Sequence, residues 1–352
     1  MIRATAGALI CATAILSCIG VALIRRYASL SLLDEPNERS SHARPTPRGG
    51  GLALAGAYLL GTYVAATLGL VEWSLSFALM GGGSLVAMVG FVDDHQHVPP
   101  RLRLMCHFGS IALAVALVGG LPPVDFGWGP TDLGLVGTLA AALYMVWFLN
   151  LFNFMDGIDG IAGVQAVSMS LTAALLVAVK TGSLDDATVL LLLAASVFGF
   201  LVWNWPPARI FMGDVGSGFL GYSLGVVALW TVVSGQLNLW VWLILGGTFL
   251  ADATVTLIVR VISGQSATAP HRSHVYQRLT RFWRGHRTVT ITFAAVNIFW
   301  LAPFALIAAV WPRLGSLSAV AALLPLCWTA LALGAGRSGE ISDKRSKGSI
   351  SA

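Results

Sequence analysis

Charge is what this chain of 352 residues has least of. Only 11% of its residues are Asp, Glu, Lys or Arg, against roughly 25% in soluble domains. Its 21 basic and 16 acidic side chains cannot clothe a water-soluble body of this length, which excludes a soluble enzyme. Long polar tracts are missing, so the chain is not disordered as a whole, and its 39 glycines follow no collagen-like period. Cysteine is scarce too. Cys11, Cys18, Cys106 and Cys327 lie in apolar stretches without C-x-x-C spacing, so neither a zinc site nor a disulfide framework is indicated. What remains is 56% hydrophobic with a mean hydropathy of +0.78, the composition of a polytopic membrane protein.

A hydrocarbon core of about 30 Å takes roughly 20 apolar residues per helix. Nearly charge-free stretches run over 4–24, 49–71, 73–92, 104–124, 133–155, 160–179, 187–208, 215–234, 239–259, 288–312 and 314–336. The expected fold is therefore an all-α polytopic membrane protein, a bundle of about eleven transmembrane helices, with Ser234–Asn238 as the turn that divides one over-long run. Placing the N-terminus outside puts 18 of the 21 Lys and Arg on inner loops and leaves Arg3, Lys180 and Arg313 outside. That bias predicts an outer N-terminus and a cytoplasmic C-terminus. Residues 1–336 read as a single transmembrane domain and 337–352, polar and rich in Ser, Gly and Lys, as a disordered cytoplasmic tail.

On this topology all seven histidines and eleven of the sixteen carboxylates face the cytoplasm. Five inner segments carry the polar chemistry. Asp34–His42 leads into Pro45-Thr46-Pro47-Arg48-Gly49-Gly50-Gly51, where glycines free backbone N–H groups for a phosphate and Arg48 adds charge. Asp93-Asp94 is a carboxylate pair at a helix end; such neighbours repel unless a cation sits beside them, either Mg²⁺ with substrate phosphate or Arg101 and Arg103. Asn150–Gly160 sets Asn153, Asp156 and Asp159 three apart, on one face if the helix continues, and these are the hard oxygen donors that Mg²⁺ prefers. Asp214 precedes a helix among Gly213, Gly216 and Gly218, as a metal ligand or as the helix cap. His271-Arg272-Ser273-His274 opens a loop with no carboxylate from Ala253 to Gly339, suited to a diphosphate or to anionic headgroups. Asp252, inside a span near its inner end, is functional by default or pairs with a neighbouring helix.

Four of these motifs, in this order, are similar to those of the polyprenyl-phosphate N-acetylhexosamine-1-phosphate transferases, glycosyltransferase family 4. They are Asp93-Asp94, Asn153–Gly160, Gly213-Asp214-Val215-Gly216-Ser217 and the loop His271–Leu279. The resemblance implies an enzyme that transfers an N-acetylhexosamine 1-phosphate from a UDP-linked donor to undecaprenyl phosphate and releases UMP. It implies Mg²⁺ as cofactor, with Mn²⁺ as the alternative, held by Asn153 and Asp214. Asp93, Asp94, Asp156, Asp159, His271 and His274 become the candidate catalytic residues, with Asp93 the family's usual base or nucleophile. Arg48, Asn150, Arg272 and Asp252 become the candidate substrate contacts. The family is found in the bacterial inner membrane with its site on the cytoplasmic face, so membrane lipid is a partner and nucleic acid is not expected. An oligomer is compatible with the apolar faces.

The peptidoglycan branch has three consecutive histidines where this chain has His271-Arg272-Ser273-His274. That form, with Arg39-Ser40-Ser41-His42 and Pro45–Gly51, is similar to the branch that initiates O-antigen, whose donors are UDP-N-acetylglucosamine, UDP-N-acetylfucosamine or UDP-N-acetylquinovosamine. Two rivals stand beside this reading: a UbiA-like intramembrane prenyltransferase, which also uses Asp-rich Mg²⁺–diphosphate sites, and a proton-coupled transporter, which needs acids near the bilayer midplane.

Overall fold

The computed structural model describes residues 2–31, 33–34, 45–96, 98–266 and 271–337. Lipid offers no partners to backbone N–H and C=O groups, so the apolar runs fold as helices that satisfy these groups internally. In chain order the helices are α1 (Ile2–Ser31), α2 (Gly51–Thr67), α3 (Trp73–His95), α4 (Pro100–Val118), α5 (Gly134–Met155), α6 (Ile161–Thr181), α7 (Thr188–Asn204), α8 (Asp214–Val233), α9 (Leu239–Leu245), α10 (Gly247–Ile262), α11 (Val275–Trp283), α12 (His286–Val296), α13 (Ala302–Val310) and α14 (Gly315–Ala332). Among the described residues strand is confined to two short antiparallel pairs, Leu33–Asp34 with Thr46–Pro47 and Val124–Asp125 with Pro130–Thr131. Cys11, Cys18, Cys106 and Cys327 are free thiols.

Nine described helical stretches are long and apolar enough to cross a membrane. The bent pair α9–α10 makes a tenth; the stretch 49–71, expected as an eleventh span, forms the shorter apolar helix α2 of 17 residues. The run expected as one span over 239–259 is not straight: α9 and α10 meet at 74° around Gly246-Gly247. The break is stabilised from α6, where Gln165 Nε2 donates to Leu245 O at 3.0 Å. Thr248 Oγ1 lies 2.8 Å from Gln165 Oε1, and Asn297 Nδ2 donates to the same oxygen at 2.7 Å. Asn297 begins a π turn (Asn297–Leu301) joining α12 to α13 within one span. The last apolar run, read as 314–336, stops being helical at Ala332. Apart from Arg337, the tail lies outside the described residues.

α8 is the axis of the bundle and is almost wholly buried, packed against α3 and α5. Small residues permit this closeness, as they do between membrane helices generally. A Cβ on Gly221 would stand 2.7 Å from Leu149 Cα in α5, and one on Gly90 would stand 2.5 Å from Asp214 O. Tyr222 extends the contact outward: its hydroxyl donates to Ala78 O of α3 at 2.8 Å. These crossings bring the end of α3, the end of α5, and the starts of α2, α4 and α8 to one end of the bundle.

Candidate active site

The site is organised around the first turn of α8. Gly213, with φ of 78°, turns the chain into the helix in a conformation that costs a non-glycine residue, and its Cα lies so near Asp94 that a Cβ would stand 2.5 Å from Oδ2. Asp94 reaches across from α3 and takes the orphan amides of the new helix: Asp214 N–H donates to Oδ1 at 3.0 Å and Val215 N–H to Oδ2 at 3.2 Å. Only 4% of the Asp94 side chain is exposed, and Arg48 Nη1 stands 3.7 Å from its Oδ1. The helix cap thus comes from Asp94; the Asp214 side chain makes no capping bond and is 35% exposed.

Asp93 turns the other way. Its Oδ1 accepts from Val98 N–H at 2.8 Å and its Oδ2 from Arg103 Nη1 at 2.6 Å. The same guanidinium nitrogen is 3.6 Å from Asp214 Oδ2. Of the two arginines the sequence offered for this acidic pair, Arg103 binds Asp93, while Asp94 is held by the amides of α8 and lies near Arg48.

Asn153, Asp156 and Asp159 do not share one helical face, because α5 ends at Met155. Asn153, still within the helix, donates from Nδ2 to Asp214 Oδ1 at 2.9 Å and to Ser217 Oγ at 3.1 Å. Asp156 is half-buried just beyond it; burial first, then the Asp214 carboxylate, push its pKa well above the usual carboxylate range. Asp159 is buried in a separate network. Its Oδ2 accepts from Ala208 N–H at 2.9 Å, its Oδ1 lies 3.1 Å from His286 Nδ1, and its carbonyl accepts from Thr290 Oγ1 at 2.9 Å. Asn150 lies one turn below Asn153 and donates to Val146 O at 2.7 Å.

The histidine loop is anchored by Asp252. Val275 and Tyr276 N–H donate to its two oxygens at 2.9 Å each, Thr256 Oγ1 to Oδ1 at 3.2 Å, and His274 Nδ1 stands 3.2 Å from Oδ1. An acid expected to touch substrate is therefore enclosed, 3% exposed, and fastens α11 to α10. His274 is also buried and begins α11, with Gln277 Oε1 accepting from its own N–H at 3.3 Å. His271 is half-buried beside it, ring centroids 4.9 Å apart; burial, with His274 and Arg260 nearby, holds its imidazole down to about 4. The loop meets the rest of the site through Tyr276, whose hydroxyl donates to Phe154 O at 3.1 Å. On its outer side Arg272, Arg281, Arg284 and His286 line a cavity of about 290 Å³. Arg278 is committed elsewhere, donating to Leu333 O at 2.8 Å at the end of α14.

One cluster therefore gathers Arg48, Asp93, Asp94, Asn153, Asp156 and Asp214, while Asp159, Asp252 and His274 hold the surrounding elements in place. Sequence reasoning gave Arg103 only a pairing role and Ser217 none beyond its place in the Gly213–Ser217 motif; the helical spacing of Arg103 below Pro99-Pro100 was the available signal. Of Arg39, His42 and Arg44 nothing is added, since they lie outside the described residues. Among the described residues no group of three or more His, Cys, Asp or Glu is set to enclose a metal. The oxygens of Asp214, Asn153 and Ser217 fit Mg²⁺ all the same, because that ion commonly takes one or two carboxylates and completes its shell with substrate phosphates and water.

The chain is a multi-pass helical bundle that gathers hard oxygen donors and guanidinium groups at one end, the groups that bind phosphates and their cations. Residues 76–232 match the model of Glycosyl transferase family 4. The chain is 28% identical over 273 residues to a probable undecaprenyl-phosphate N-acetylglucosaminyl 1-phosphate transferase of Bacillus subtilis, covering 75% of this chain and 74% of that protein. It is 30% identical over 298 residues to a decaprenyl-phosphate N-acetylglucosaminephosphotransferase of Mycolicibacterium smegmatis, 73% of this chain and 70% of that one. It is 31% identical over 268 residues to a phospho-N-acetylmuramoyl-pentapeptide-transferase of Moorella thermoacetica, 69% of this chain and 78% of the relative. The chain belongs to glycosyl transferase family 4, which displaces the prenyltransferase and transporter readings.

Proposed function

We propose that this protein transfers N-acetylhexosamine 1-phosphate from a UDP-sugar to undecaprenyl phosphate and releases UMP, initiating an O-antigen or another cell-envelope polysaccharide at the cytoplasmic face of the plasma membrane. The observation that carries the reading is the Asp94-capped start of α8, where Asp214, Asn153 and Arg103 meet. Both reactants are anionic, so their mutual repulsion is the main obstacle. Arg103 and Arg48 lower it, and the positive end of the α8 dipole points at the same place. Mg²⁺ (or Mn²⁺), held by Asp214 and Asn153 together with phosphate oxygens, would neutralise charge developing on the diphosphate.

An oxygen of the lipid phosphate attacks the β-phosphorus of the donor; the bond from that phosphorus to the oxygen bridging to the α-phosphate breaks, and UMP leaves with the electron pair. The attacking phosphate is already ionised at neutral pH, so Asp93 need not remove a proton. Bound to Arg103, it keeps that guanidinium beside Asp214. Asp94, Asp159, Asp252 and His274 act as positioning residues, while Arg272, with Arg281 and Arg284 on the histidine loop, is the candidate contact for the donor diphosphate. UDP-N-acetylglucosamine is the favoured donor, since two of the three relatives above are named for N-acetylglucosamine. A muramoyl-pentapeptide donor is disfavoured by His271-Arg272-Ser273-His274. Purified protein with Mg²⁺, undecaprenyl phosphate and a panel of UDP-N-acetylhexosamines tests this: wild type releases UMP, and Asp214→Asn folds but does not. Turnover surviving in Asp214→Asn would remove the metal assignment.

A further inference from the structure

Beneath the charged cluster lies a second polar layer, made by His107 and Asn150. α4 buries one face, His107, Ser110, Ile111 and Ala114, against the bundle. His107 stands four residues after Arg103, directly below it on the same face and about one helical turn, roughly 5 Å, deeper in the membrane. Asn150 occupies the equivalent depth on α5, one turn below Asn153. Arg103, Asn153 and Asp214 share a narrow cleft with His107 and Asn150, and Val86 lies deeper still. The cleft is about 10 Å³, room for roughly one water-sized group and not for a whole phosphate.

His107 is 5% exposed, and its Nδ1 is buried with no hydrogen-bond partner among the described residues. Leaving a buried polar atom unmatched costs about 1–3 kcal/mol, and replacement by a similar-sized apolar ring would remove that cost. An unmatched polar ring lining the same cleft as Arg103, Asn153 and Asp214 is open to a partner that arrives with the substrate. The two substrates approach from opposite sides. A soluble nucleotide sugar enters from the aqueous end, whereas a polyprenyl phosphate rises from the bilayer. Next to His107, α4 turns Leu104, Met105 and Phe108 outward, 43%, 69% and 41% exposed, an apolar surface on which a prenyl chain can lie.

We propose that His107 is a positioning residue for the acceptor: Nδ1–H donates to a single oxygen of the polyprenyl phosphate that reaches into the cleft, fixing that phosphate below Asp214. This deepens the transferase reading and rests on it. The layer suits the task because His107 and Asn150 add no carboxylate to repel an anionic oxygen.

The test compares His107→Phe and His107→Leu, which lack the donor, with His107→Asn, whose amide nitrogen falls near the place of Nδ1. Losing a hydrogen bond to an ionised group predicts that KM for undecaprenyl phosphate rises about ten- to a hundredfold in both donorless variants. KM for the UDP-sugar stays within about twofold, and His107→Asn recovers most of the loss. Equilibrium binding of a short-chain polyprenyl phosphate, without donor, should show the same order. Using two donorless variants means that one failing to fold leaves the other to report. An unchanged acceptor KM, a parallel rise in UDP-sugar KM, or no recovery with Asn overturns the role of His107 alone. Wild-type protein that binds polyprenyl phosphate but releases no UMP removes the transferase reading, and the binding arm still judges His107. No binding by wild type overturns both.

Discussion

Asp94→Ala separates positioning from chemistry in this site. The Asp94 carboxylate accepts from two amides at the start of α8, at 3.0 and 3.2 Å, with its side chain 4% exposed. Removing a cap costs about 0.5–2 kcal/mol, and removing a partly buried negative charge from the positive end of a helix costs up to about 2 kcal/mol more. Asp94→Ala is therefore expected to destabilise the protein by about 0.5–4 kcal/mol, and Asp94→Asn, which keeps one acceptor, by about half as much. Thermal loss of helicity in detergent reads the first effect. The second is functional: with the turn loosened, Asp214 is no longer held against Asn153, so half-saturation by Mg²⁺ shifts upward before maximal turnover is lost. An Asp94→Ala protein that melts like wild type, with turnover abolished and Mg²⁺ dependence unchanged, would refute the reasoning and make Asp94 a chemical participant.

Arg103→Ala leaves Asp93 and Asp214 without their shared cation; kcat/KM is expected to fall about a hundredfold while half-saturation by Mg²⁺ shifts downward, measured by metal titration of UMP release. Asp159→Asn breaks the link to Ala208 N–H and weakens that to His286, costing about 1–3 kcal/mol of stability, with both KM values unchanged in the folded fraction. His271 supplies a pH signature. Its imidazole is held near 4 in the folded protein against 6.5 ordinarily, so the unfolded chain binds more protons between these values. The associated stability is complete above about pH 6.5 and is lost as pH falls towards 4; melting curves across that window should be flatter in His271→Gln.

The helices were legible because lipid forces a one-dimensional signal: a long uncharged run must be a helix, and a cluster of Asp, Asn and Gly at its end is conspicuous against that background. The same signal brought Asp93, Asp94, Asn153, Asp156 and Asp214 to one end of the bundle. It did not reveal which oxygen meets which donor. Asp93 and Asp94 are adjacent in sequence but diverge, one to Arg103 on α4 and the other to the amides of α8, and only the crossing of three helices at Gly90 and Gly213 decides this. Asp252 resembles an intramembrane catalytic acid until the returning loop sets two amides and His274 upon it. The bend between α9 and α10 was hidden for a related reason. Gly246-Gly247 permits a break, but the side chain that satisfies Leu245 O belongs to Gln165, 80 residues earlier. His107 was visible as a histidine in an apolar run, four residues after Arg103, yet nothing in the sequence placed it in one cleft with Asn150 and Asp214.

The central claim is that a sugar phosphate, rather than a sugar, crosses to the lipid. UDP-N-acetylglucosamine labelled with ³²P in its β-phosphate, incubated with undecaprenyl phosphate, Mg²⁺ and purified protein, tests it directly. The label is predicted to move into the organic phase with the lipid while unlabelled UMP remains in the water. Label retained in aqueous UDP while the sugar appears on the lipid would mean ordinary glycosyl transfer, and would contradict the account.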